Sequence, residues 1–147
     1  MNKFRPLTAI LIGGGAAATF DLVYAILRNG KPTLWVLQLV GTGWLGPSAF
    51  DGGVPAGLVG LASHYGTLLV AATIFYFASK HIAMLKSQAL LCGALFGVGV
   101  YLFMNFVVLP LSAFPFTLTY PPLRLLEGFA SHAAFVGIPI ALAVRRT

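Results

Sequence analysis

Two histidines set in apolar surroundings each close the same short pattern. Gly60-Leu-Ala-Ser-His64 and Gly128-Phe-Ala-Ser-His132 share four of five residues, 68 positions apart. An imidazole in such a setting can ligate a haem iron, carry a proton between about pH 5 and 8, or only bind one helix to the next. Three further polar residues fall inside or beside apolar runs: Asp21, Asn105 and Glu127. The chain has only three acids, Asp21, Asp51 and Glu127, on different segments. Two-metal hydrolysis and glycoside cleavage both need paired carboxylates, so neither fits. No GxSxG, HExxH, P-loop or Rossmann glycine pattern occurs, and no catalytic residue is assigned. The single cysteine, Cys92, permits no intrachain disulfide and no Cys-rich metal site, and reads as a packing residue.

The elements that must position these groups are membrane spans. Of 147 residues, 59% are hydrophobic and 8% charged, with a mean hydropathy of +0.92, whereas a soluble domain carries about 25% charged residues. At about 20 residues per span, the length allows at most five or six crossings and no separate soluble domain. Four segments qualify, at about 7–27, 54–77, 88–109 and 125–144. The first is read as an uncleaved span, because the apolar run continues past Ala16-Ala17-Ala18 through Leu27. The net charge of +6 forms no basic stripe of the kind that binds nucleic acid. Lys3, Arg5, Lys80, Lys86, Arg145 and Arg146 fall on one side of a four-span chain, and Arg28, Lys31 and Arg124 on the other. The positive-inside rule then predicts cytoplasmic termini, with loops 28–53 and 110–124 outside.

These outer loops hold Trp35, Trp44, Phe50, Phe114, Phe116 and Tyr120 among Gly and Pro, which predicts interfacial placement. Pro32 would open a short helix through Leu39, broken by Gly41, Gly43 and Gly46, with a re-entrant loop as the rival arrangement. Gly57, Gly60, Gly93, Gly97 and Gly128 are expected at helix contacts, since small residues let backbones approach in lipid. Pro139 should bend the last span.

The repeated pentapeptide implies two helical hairpins in the same orientation, spans one and two against spans three and four, related by an axis along the membrane normal. At about 1.5 Å per residue, His64 and His132 lie roughly 3 to 4 Å from their span midpoints toward the outer face, Asp21 roughly 6 Å, and Asn105 and Glu127 roughly 10 Å. An unpaired ionisable group there costs several kcal/mol, so Asp21, His64 and His132 are expected to meet inside the bundle, with Glu127 marking the interface. His81, beside Lys80, reads as solvated, and Asp51 as a turn residue.

The second half resembles small bacterial inner-membrane proteins of the YagU type, through Leu91, Gly93-Ala94-Leu95, Pro110-Leu111, Glu127 shortly before His132, and Arg145-Arg146. The first 50 residues do not share the pattern, and the spacing from glutamate to histidine differs by one. The resemblance implies an inner-membrane protein associated with acid resistance. Three functional classes follow from the residues. The first is a non-enzymatic inner-membrane accessory or scaffold subunit, packed on other membrane-protein subunits or on its own copies, without a cofactor. The second is a proton- or ion-linked transporter or acid-stress protein, with Asp21 as carrier. The third is a haem b protein with His64 and His132 as axial ligands.

Overall fold

A computed structural model describes residues 5–147; Lys3, one of the charges counted for orientation, lies outside the described residues. These residues form an all-α bundle, with no strand among them. The principal helices are α1 (Pro6–Asn29), α2 (Thr33–Leu45), α3 (Gly53–His81), α4 (Ala89–Leu111) and α5 (Pro122–Val144). All but α2 are long and apolar enough to cross a membrane. Four crossings place Arg5, Thr147 and the connection at 82–88 at one end, here the termini end. The connections at 30–52 and 112–121 form the loop end.

Local chemistry sets the boundaries. Pro6 and Pro122 stand at first helical positions, where a missing N–H costs nothing. Gly30 closes α1 in the left-handed conformation (φ 59°), its N–H bonding the Ile26 carbonyl. Two helical turns widen to π geometry, Met104–Val108 in α4 and Ala133–Gly137 in α5. Each is followed two residues later by a proline, Pro110 or Pro139. A proline ring collides with the carbonyl four residues back, and a widened turn relieves that collision. The proline in the last span thus acts on the helix through a change of winding at 133–137.

Glycine decides how closely the spans pack. On α1, Gly13 faces Ile140 and Ala143 of α5, and Gly14 faces Leu68 and Leu69 of α3. A Cβ at Gly93 would stand 2.9 Å from the Gly137 carbonyl oxygen. One at Gly97 would overlap the His132 carbonyl, and one at Gly137 the Gly93 carbonyl, so α4 and α5 touch backbone to backbone. Toward the termini end, Leu68, Phe75, Tyr76, Val136, Ile140 and Val144 fill the space between α1, α3 and α5 with hydrocarbon. Phe96 of α4 meets Phe75 edge-on at 5.0 Å. The rest of α4 looks outward through Leu90, Leu91, Leu95 and Phe103. Cys92 is buried, in keeping with a packing role.

The loop helix α2 differs from its sequence expectation. It runs through Gly41 and Gly43 to Leu45 and stops only at Gly46, where φ is 63°. The reason is tertiary: Gly41 and Gly60 are the points where α2 and α3 touch. A Cβ at Gly41 would lie 2.8 Å from the Ala56 carbonyl oxygen, and one at Gly60 would overlap the Leu37 carbonyl. As α2 advances a turn from Leu37 to Gly41, α3 retreats a turn from Gly60 to Ala56, so the two run antiparallel. Gly57 takes the Leu34 side chain. Gln38, buried, donates to the Phe50 and Gly53 carbonyls and ties the helix to the short 3₁₀ turn Gly46–Phe50 and to the start of α3. The aromatic loop residues pack on one another. Trp35 stacks on Phe50 at 5.5 Å, Phe50 meets Phe116 at 6.1 Å, and Phe116 meets Phe114 at 5.4 Å, while Trp44 stays exposed.

Candidate functional site: a carboxylate between two imidazoles

The site is built on three helix faces. On α1, Asp21, Tyr24 and Arg28 lie at positions i, i+3 and i+7, one stripe of an α-helix. On α5, Arg124, Glu127, Gly128, Ser131 and His132 lie at i, i+3, i+4, i+7 and i+8, another stripe. His64 comes from α3. The close approach of α1 to α3 at Gly14 and to α5 at Gly13 turns these faces toward each other.

At the centre is Asp21. Its Oδ2 lies 3.9 Å from His64 Nε2, and its Oδ1 lies 3.9 Å from His132 Nδ1. The three side chains are between 11% and 20% exposed, so the carboxylate sits between two imidazoles with little access to solvent. Each separation exceeds a direct hydrogen bond and stands at ion-pair range. His64 Nε2 also lies 2.9 Å from the Ala18 carbonyl oxygen. A carbonyl only accepts, so Nε2 carries a proton and the ring orientation is held by α1. His132 is held differently. Ser131 Oγ lies 3.4 Å from its Nδ1, and the Tyr101 ring of α4 meets it edge-on at 5.0 Å.

A second polar group stands about a turn and a half nearer the loop end. Glu127 receives Arg28 Nε and Nη2 at 2.7 Å each and Tyr24 Oη at 3.0 Å, with Arg124 Nη1 at 3.8 Å. The bidentate pair joins the last turn of α1 to the second turn of α5. Glu127 therefore does more than mark the interface, as its depth alone suggested. Between the two groups lies a cavity of about 260 Å³, with Asp21 and His132 at its inner end, Tyr24 and Tyr101 along it, and Arg28, Arg124 and Glu127 at the loop end.

The structure brings Asp21, His64 and His132 together and sets Glu127 at the mouth of the same cavity. It does not bring Asn105 to them. That side chain donates to the Tyr101 carbonyl one turn back in α4, and the Asn105 backbone carbonyl, inside the widened turn, accepts the Tyr120 hydroxyl at 2.6 Å. Gly128 does not leave a slot for a flat ligand either, because the Tyr101 ring occupies the space where its Cβ would be. The space beside Gly60 is taken by α2. A haem held by both imidazoles would have to displace Tyr101 and Asp21. His81 ends α3, exposed, at the termini end, and Asp51 is exposed in the turn before α3.

Tyr24, Arg28, Tyr101, Arg124 and Ser131 belong to the site although their residue types alone did not single them out. For Tyr24, Arg28 and Arg124 the signal was present, as helical spacing from Asp21 or His132, and Ser131 stands beside His132 in the repeated pentapeptide. Tyr101 reaches the site through the contact between α4 and α5, which no spacing within one segment reveals.

Comparison of the chain with protein-family models, with curated proteins and with solved structures finds no match.

Proposed function

We propose that the chain is a small non-enzymatic membrane protein whose Asp21–His64–His132 centre takes up a proton from the loop end. One observation carries this reading: a single carboxylate faces two imidazole nitrogens at 3.9 Å each, inside helices that span the membrane. A proton arriving on either ring is met by the same counter-charge, and an intramembrane ionisable cluster marks a functional site by default. The path to it is one-sided. The cavity opens toward the loop end, while Leu68, Phe75, Val136 and Ile140 fill the bundle on the other side. That asymmetry favours a pH-responsive protein over an open conduit. The balance of Lys and Arg supports cytoplasmic termini and an outward-facing loop end in a bacterial inner membrane, where the centre would respond to external acid, as the YagU-type resemblance implies. The outward apolar face of α4 suits contact with lipid, and packing on other subunits or on further copies of the chain is part of the same reading.

The test is histidine NMR on selectively ¹⁵N-labelled protein in bicelles. Asp21→Asn is expected to alter the titration curves of both His64 and His132 and to leave His81 unchanged. Curves for His64 and His132 that do not respond to Asp21→Asn overturn the proposal. A Soret band in the purified protein would instead support the haem arrangement.

A further inference from the structure

The cavity leading to Asp21 has its charges in a definite order. At the mouth, Arg28 and Glu127 neutralise each other through a bidentate pair, so neither offers a free charge. Arg124 is engaged only at 3.8 Å by the same carboxylate and is 57% exposed, which leaves one cationic group facing the opening. At the inner end, Asp21 supplies the anionic charge, with His132 beside it. The wall between carries the rings of Tyr24 and Tyr101, surfaces that suit methylene groups and cations alike.

The helices bound the length. Arg28 stands seven residues from Asp21 along α1, and Arg124 eight residues from His132 along α5, a rise of about 10 to 12 Å between backbone positions. The side chains cover much of that rise, since the Arg124 guanidinium stands 3.8 Å from Glu127, only five residues from His132, so a molecule spanning the two ends is short. A simple amine or carboxylate uses only one end. The volume, about 260 Å³, suits a small solute and not a bulky one.

We infer that this cavity binds a small zwitterion, its ammonium at Asp21 and its anionic end at Arg124. The inference rests on the Asp21 centre proposed above and adds a ligand to it. Binding places the ammonium where a proton on His132 would otherwise balance Asp21, so solute and proton compete for one carboxylate.

The experiment uses the full chain in a detergent free of amine lipids, with thermal unfolding followed by fluorescence of Trp35 and Trp44. The probes are glycine, 4-aminobutyrate, butylamine and butanoate. Saturable stabilisation by glycine or 4-aminobutyrate, and not by butylamine or butanoate, is the expected result. Asp21→Asn and Arg124→Gln should each weaken that binding about tenfold or more. Arg124 is exposed at the mouth, so its variant keeps the fold in hand should Asp21→Asn not assemble. Equal stabilisation by butylamine, or binding indifferent to Arg124→Gln, overturns the zwitterion. No stabilisation by any probe, in protein whose His64 and His132 still respond to Asp21→Asn by NMR, overturns the ligand and leaves the proton site standing. Loss of both responses removes both.

Discussion

The two hairpins carry nearly the same five residues before their histidines, yet the rings do not live in the same surroundings. In the first, α1 with α3, the glycine before His64 admits the backbone of α2, and the ring is pinned to the Ala18 carbonyl. In the second, α4 with α5, the glycine before His132 admits the Tyr101 ring, and the imidazole lines the cavity beside a serine hydroxyl. The carboxylate is unequally shared as well. Asp21 belongs to the first hairpin, and α4 has no acid, so one charge serves both histidines. A repeated motif sets where a side chain stands on its helix; what it can do is set by neighbours the motif does not contain.

The comparison is broken most severely at the glycines. Gly137→Ala should push α4 from α5 and cost about 3 kcal/mol, because the neighbour is a backbone carbonyl that cannot rotate away. Gly60→Ala should cost less, about 1 to 2 kcal/mol, since it displaces only α2 and not a span. Equal losses in denaturant titrations of the two variants would show that α2 is as integral to the bundle as a span. Tyr101→Ala comes next, at about 2 kcal/mol, for a part-buried aromatic lost from the second hairpin. Its histidine spectrum should change at His132 and not at His64; a change at both would mean that the two rings share more than Asp21. Glu127→Gln removes the bidentate partner of Arg28 and should lower stability only modestly, because both side chains are about a third exposed. Its effect should shrink in high salt, and an unchanged value there would locate the loss in the Tyr24 bond instead. Gly66→Ala and Gly99→Ala, where nothing stands within 4 Å of the added methyl, serve as the near-zero end, with a gain of up to about 1 kcal/mol from helix propensity. A loss at either in detergent would reveal an interface with a second molecule.

The four spans were legible because hydropathy and length are properties of a segment alone, and each observed helix begins and ends within a few residues of its expected span except α3, which runs on to His81. Asp21, His64 and His132 were legible as a group from depth and from the cost of an isolated charge in hydrocarbon. Asn105 was not separable from them by that argument, since depth says nothing about direction around the helix. Its amide turns to its own helix, satisfied by the Tyr101 carbonyl one turn back. The end of α2 failed for a related reason. Gly41 lowers helix propensity in isolation, but in contact with Ala56 it is the only residue that lets the two backbones meet.

The widened turn at Ala133–Gly137 has a geometric cost and a use. A turn closed five residues apart holds one residue more than an α-turn, so everything beyond it is rotated by about 100° relative to a uniform helix. A helical wheel drawn through all of α5 therefore assigns the wrong inward side to Ile140, Ala141 and Val144, all three of which are buried. Shortening this stretch by one amino acid, together with replacing Pro139, would return the segment to even winding and swing its final two turns away from α1. In this way one surplus residue sets which surface of the last span meets the first.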